Sequence, residues 1–181
     1  MIMVYVFLAH GFEEIEALTV VDLLRRAEIQ VKTVSLMEDK TVFGAHGIGV
    51  ESDMMFKNIE PERCGMMVLP GGMPGTTNLC NHKYFNVVLK EYVAEGKPVA
   101  AICAAPMVLA KAGLFDGHRA TIYPGMEEEL VNAVSTGEKV VVDDKIITGR
   151  GPGVAADFAL AIIEYLSGKE KAEEVKYGLQ G

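Results

Sequence analysis

The sequence predicts an α/β protein with a mostly parallel sheet and helices on both faces. Two observations carry this. Short apolar runs alternate with longer segments of helical periodicity, the pattern of repeated β-then-α units. Three loops of unusual composition also follow apolar runs: His10-Gly11, Pro70-Gly71-Gly72 and Cys103-Ala104-Ala105. In such sheets the functional site lies at the carboxyl ends of the strands.

Taken in order, Met3–Ala9 reads as a buried strand, Glu13–Glu28 as a helix and Gln30–Leu36 as a second strand. Met66–Leu69 is another apolar run, stopped by Pro70-Gly71-Gly72. Tyr84–Glu95 reads as a helix ended by Gly96, Val99–Ile102 as a strand, and Ala104–Ala112 as a helix with Gly113 at its end. Lys139–Val142 and Lys145–Thr148 flank Asp143-Asp144 and read as a hairpin. Pro152 sits near the start of a last long helix, Val154–Leu166, which stops before Gly168. No linker, internal repeat or low-complexity tract interrupts residues 1–181, so one domain is expected.

Composition narrows the function. The 181 residues are 50% hydrophobic with a formal net charge of −8, enough apolar content for a full core and no basic stripe for nucleic acid. The opening Met1–Ala9 run lacks a basic leader and is far shorter than the roughly 20 apolar residues of a membrane span, so neither secretion nor membrane insertion is expected, and the location expected is cytoplasmic. Cys64, Cys80 and Cys103 are odd in number and widely spaced, which disfavours a disulfide framework or a structural zinc site. His10, His46, His82 and His118 show no metal-ligand spacing, and neither metal nor cofactor is expected. Gly149-Arg150-Gly151-Pro152-Gly153 lacks the G-x-G-x-x-G spacing of a dinucleotide loop.

Cys103 is the centre of the functional reading. An apolar strand runs straight into an alanine-rich segment, with Ala101 and Ala105 in the places where a nucleophile on a sharp turn needs small neighbours. At a helix N-terminus the dipole and free N–H groups lower a thiol pKa from ~8.5 toward roughly 3.5–7.5. A buried, inert cysteine packed like an alanine is the alternative. In the first helix, Glu13 and Glu14 read as dipole complements, but Glu16 heads the apolar stripe Val20, Leu23, Leu24 and Ala27. Burial there raises a carboxyl pKa and suits it to proton transfer. A side chain reaching out at the helix end is the other reading. Leu18 and Val21 give this helix a second apolar flank, facing a partner subunit or a covering loop. The paired glycines at 71 and 72 let backbone N–H groups point into a site, or form a plain turn.

Together, Gly11-Phe12-Glu13-Glu14-Ile15-Glu16-Ala17, Val68-Leu69-Pro70-Gly71-Gly72, Ala100-Ala101-Ile102-Cys103-Ala104-Ala105-Pro106 and Thr148-Gly149-Arg150-Gly151-Pro152-Gly153 resemble the ThiJ/PfpI superfamily. Within it the chain is most similar to the DJ-one branch, named for a parkinsonism-associated protein. The resemblance covers nearly the whole chain. It implies a flavodoxin-like three-layer α/β/α sandwich, related to class I glutamine amidotransferases, and a homodimer. It further implies Cys103 as nucleophile, Glu16 as its hydrogen-bonded acid, and backbone donors from the Gly71-Gly72 loop and Ala104. His46, Tyr123 and Pro152 are the candidates for lining the site. Activities ascribed to the branch are a cofactor-free glyoxalase (methylglyoxal to lactate), a protein deglycase and a redox-sensing chaperone; older naming adds thiazole-phosphate biosynthesis. Some members have histidine where Tyr123 stands and others arginine where His46 stands. The peptidase-like branch has histidine directly after the cysteine. Here that residue is Ala104, so the Cys-His activation of a protease is missing.

Overall fold

The computed structural model describes residues 3–180; residues 1, 2 and 181 of the expected domain lie outside it. The chain begins with β1 (Met3–Leu8), α1 (Glu14–Arg26) and β2 (Gln30–Ser35). Two short strands, β3 (Thr41–Phe43) and β4 (Gly49–Glu51), form a hairpin, and β5 (Met54–Met55) follows. Next come β6 (Cys64–Leu69), α2 (Gly75–Asn81), α3 (Lys83–Ala94), β7 (Val99–Ile102) and α4 (Pro106–Lys111). The chain ends with β8 (Arg119–Ala120), β9 (Val134–Ser135), β10 (Val140–Asp143), β11 (Ile146–Gly149), α5 (Ala155–Ser167) and α6 (Lys169–Gly178).

The main sheet has the order β10-β11-β7-β6-β1-β2-β5. All its pairings are parallel except the β10–β11 hairpin. Strand residues alternate between two apolar layers. Val4, Val6 and Leu8 pack with Val20 and Leu24 of α1 and Phe158 and Ile162 of α5. Tyr5, Phe7 and Ala9 face Leu79 of α2, Phe85 and Leu89 of α3, and Val108 of α4. A sheet covered on both faces explains why β1 and β7 read as unbroken apolar runs. The chain leaves β1 toward β2 on one side and later returns to β6 on the other. That reversal opens a crevice at the carboxyl ends of β1 and β6, the position where ligands bind in open α/β sheets.

The expected helix at Ala104–Ala112 is shorter than its sequence suggests. Cys103–Ala105 form a turn and α4 starts at Pro106, whose ring suits a first helical position and needs no N–H partner. The β3–β4 hairpin, α2, the β8–β9 pair and α6 leave no clear signal in the sequence. The strands are two or three residues long, α2 carries no apolar stripe, and α6 is polar apart from Ala172 and Val175. Among the described residues no helix is long and apolar enough to cross a membrane.

Candidate active site

Three segments meet at the crevice, each leaving one of the adjacent strands β1, β6 and β7. Glu16 comes from the first turn of α1 and is fully buried, as its place on the apolar stripe requires. Gly71 follows β6, and its N–H donates to Glu16 Oε2 at 2.8 Å. Cys103 follows β7. A Cβ placed on Gly71 would lie 2.7 Å from the Cys103 Cβ and 2.8 Å from Glu16 Oε2, so only glycine lets the loop pass between acid and thiol. Gly72 has φ +87°, and a side chain there would strike the backbone of Gly11 and Glu13.

Cys103 has φ +63°, the left-handed region that a non-glycine residue enters only when its surroundings hold it there. They do so by backbone hydrogen bonds: its N–H donates to the Gly149 carbonyl at 2.8 Å, and its carbonyl accepts from the Tyr123 N–H at 2.9 Å. Ala101 and Ala105, both fully buried, leave room for the turn. The result is the sharp, strained strand-to-helix turn that the small neighbours Ala101 and Ala105 lead one to expect.

The electrostatics correct one expectation. Burial, then the nearby Glu16 carboxylate, push the Cys103 thiol up to about 12, while the Ala104 and Gly72 N–H groups pull it down. A helix end alone therefore does not make this thiol acidic. Burial also pushes the Glu16 carboxyl up to about 7, against the opposing pull of Cys103 and the Gly71 N–H. The upward push of Glu16 on the thiol belongs to the ionised carboxylate; a proton on Glu16 removes it and supplies a donor. Acid and thiol thus influence each other's ionisation: a charged Glu16 disfavours the thiolate, and a protonated one does not. Glu16 Oε1 is buried with no formed hydrogen bond. The resting site places acid and thiol in electrostatic contact, with Oε1 unpartnered.

Gly71 also needs correction. Its N–H is taken by Glu16, so it anchors the acid and is no oxyanion donor; the N–H groups directed at the sulfur are those of Gly72 and Ala104. His46 sits at the tip of the β3–β4 hairpin, on the acidic start of α1. Its Nδ1 lies 2.8 Å from Glu14 Oε2 and 3.7 Å from Glu13 Oε1, and its backbone N–H donates to Glu14 Oε1 at 2.8 Å. Burial pushes Glu14 up, but the His46 ring and the backbone donors outweigh it and hold the carboxyl below its usual range. Glu13, Glu14 and His46 are a grouping with metal-ligand spacing, yet Glu14 and His46 are already hydrogen-bonded to each other. His10 is likewise structural: its ring accepts from the Phe43 N–H and its carbonyl from Asn78. Tyr123 and Pro152 line a neighbouring cavity whose walls include neither Cys103 nor Glu16.

Cys64 and Cys80 lack this setting. Cys64 is buried, donates to the Met66 carbonyl at 3.2 Å and is pushed by burial up to about 11. Burial also raises the half-buried Cys80.

Fold and site define a class: a doubly wound α/β protein with a thiol on a strained strand-to-helix turn against a buried acid. A family model for the DJ-1/PfpI family matches residues 3–165. Protein dj-1beta of Drosophila melanogaster is 40% identical over 176 residues, 96% of this chain and 94% of that protein. Deglycase PH1704 of Pyrococcus horikoshii is 35% identical over 146 residues, covering 80% of this chain and 87% of that protein. The match to the longer Protein DJ-1 homolog A of Arabidopsis thaliana spans 93% of this chain but 44% of that protein, at 38% identity. Among solved structures, oxidized Toxoplasma gondii DJ-1 superposes with a TM-score of 0.95 at 36% identity, covering 99% of this chain and 98% of that one. The chain belongs to the DJ-1/PfpI family.

Proposed function

We propose that the protein is a cytoplasmic, cofactor-free enzyme that converts small 2-oxoaldehydes such as methylglyoxal to 2-hydroxy acids through Cys103. The observation that carries this reading is the buried Glu16 carboxyl, pushed up to about 7 and held by Gly71 with its second oxygen unpartnered against the thiol. Such a group can give and take a proton near neutral pH. The sulfur adds to the aldehyde carbon, and the thiol proton ends on the former carbonyl oxygen, beside the Gly72 and Ala104 N–H groups. Two protons then move, one from the former aldehyde carbon to its neighbour and one from the new hydroxyl to the neighbouring oxygen, with Glu16 as the shuttle. The product is a thioester. Water cleaves its C–S bond, releasing the hydroxy acid and restoring the thiol. The sequence is redox-neutral overall. A deglycase-named relative and three free thiols, suited to a reducing compartment, support the reading. Chelator-treated protein without glutathione is expected to convert methylglyoxal to an equal amount of lactate; absence of lactate would overturn the proposal.

A second reading, an oxidation sensor or redox-regulated chaperone, draws on the same geometry. The Gly72 and Ala104 N–H groups and a protonated Glu16 are the donors a Cys103 sulfinate would need. Graded peroxide is expected to add two oxygens to Cys103 before Cys64 or Cys80, read by peptide mass spectrometry. Equal oxidation of all three would count against it.

We also propose a homodimer through α1. Val21 is buried within one chain, so of the Leu18–Val21 flank only Leu18, 38% exposed, is free for contact, and Ile15, 56% exposed, extends it. Phe43 and Ile48 add exposed apolar surface on the hairpin that packs at the start of α1. Light scattering at micromolar concentration is expected to give twice the chain mass, and a monomer would refute the pairing.

A further inference from the structure

The proposed chemistry leaves unassigned a cavity of about 440 Å³ beside the Cys103 turn. Two of the segments that line it are tied close to the Cys103 backbone by hydrogen bonds. The carbonyl of Cys103 accepts from Tyr123, which with Pro124 forms one wall. Its N–H donates to Gly149, the residue before Arg150, and the segment from Arg150 to Val154 forms the other. The Arg150 N–H in turn donates to the Lys139 carbonyl at 2.9 Å, setting two cationic side chains side by side on the cavity.

These cations stand out chemically. The chain carries 25 acidic and 17 basic residues, yet among the described residues neither Lys139 nor Arg150 forms an ion pair. Among the described residues the Arg150 guanidinium makes one hydrogen bond, to the Gly137 carbonyl, and it is long at 3.4 Å. Glu138, next in sequence to Lys139, is taken by Arg119. The Tyr123 ring packs against Gly151, and with Pro124 and Pro152 it gives the cavity an apolar lining. A small-molecule site of this kind suits a short carbon skeleton with one anionic end.

We propose that this cavity is an anion subsite, and that the preferred substrates are 2-oxoaldehydes whose far end carries a carboxylate or phosphate bound by Lys139 and Arg150. The inference deepens the carbonyl-enzyme reading and rests on it. It directs the uncharged methylglyoxal to the role of a minimal substrate and assigns specificity to two residues outside the chemical step.

The test compares two alkylating reagents with the same reactive group, anionic N-(bromoacetyl)glycine and neutral N-ethylbromoacetamide, by their rates at Cys103. The wild-type protein is expected to favour the anionic reagent by roughly fivefold at low salt, the size of two partly exposed charge contacts, and less in 0.5 M salt. The ratio should fall toward one in Lys139→Gln/Arg150→Gln and be kept in Lys139→Arg/Arg150→Lys, which preserves charge. A ratio the same in wild type and Lys139→Gln/Arg150→Gln would overturn the subsite, as would its loss in the charge-preserving pair. Because the ratio is taken within each protein, general damage to the fold cancels. Methylglyoxal turnover with an unmoved ratio would leave the enzyme reading standing without the subsite. A charge-dependent ratio with no turnover of any 2-oxoaldehyde would leave the subsite and remove its carbonyl substrates.

Discussion

Replacing Cys103 with serine is expected to lower methylglyoxal turnover by on the order of 10³-fold or more while the protein stays folded. Serine is nearly the same size, so the buried turn at φ +63° and its hydrogen bonds to Gly149 and Tyr123 survive. The hydroxyl, however, is far less acidic than a thiol, and no imidazole stands next to it in sequence to take its proton. Ala104 occupies that place. Cys64→Ser and Cys80→Ser should leave rates within about twofold, since neither thiol faces Glu16. The measurement is lactate formation beside thermal unfolding for all three variants. Substantial turnover by Cys103→Ser would remove the nucleophile assignment.

Glu16→Gln is expected to separate thiol ionisation from catalysis. The amide keeps a donor for the sulfur and an acceptor for the Gly71 N–H, but it cannot carry a proton between substrate atoms. Turnover should fall by roughly 10²-fold or more, the usual scale of a lost acid–base group. The thiol should become more acidic, because the carboxylate that pushed it up is gone. Stability should respond as well. Folded Glu16 holds its proton up to about 7, against 4.5 for an ordinary glutamate. The folded state therefore binds more protons than the unfolded chain between these values. Stability falls as pH rises through that window, by up to about 3 kcal/mol. In Glu16→Gln this loss should largely disappear. Urea unfolding at pH 5 and pH 8, with a thiolate absorbance titration, reads both effects. Wild-type rates with an unchanged thiol titration would leave Glu16 as a merely buried acid.

Much of this architecture is legible in the chain. The strands β1, β6 and β7 are buried along nearly all their length, so they must be largely apolar, and that makes them visible. Glu16 is visible for the opposite reason: a carboxylate heading the stripe Val20, Leu23 and Leu24 breaks the pattern of a buried helix face. Ala101 and Ala105 around Cys103 mark a turn too crowded for larger side chains. The hairpin at 41–51, α2 and α6 are not legible in this way. Their few buried residues answer to the rest of the fold and leave no period in the sequence.

The sequence by itself determined the main alternation of strands and helices, the sharp turn at Cys103, the buried acid and the glycine pair, because each is set by local sterics or by polarity along one face. Only the tertiary structure decided which partner each group takes. Strand order places Gly71 between Glu16 and Cys103, so its N–H anchors the acid and leaves Gly72 and Ala104 to the sulfur. Chain return from Gly149 and Tyr123 brings Lys139 and Arg150 beside the same turn. Even the direction of the Cys103 shift was decided there. The local helix end favours a thiolate, but burial and a neighbouring carboxylate are long-range effects, and in a low-dielectric site they outweigh it.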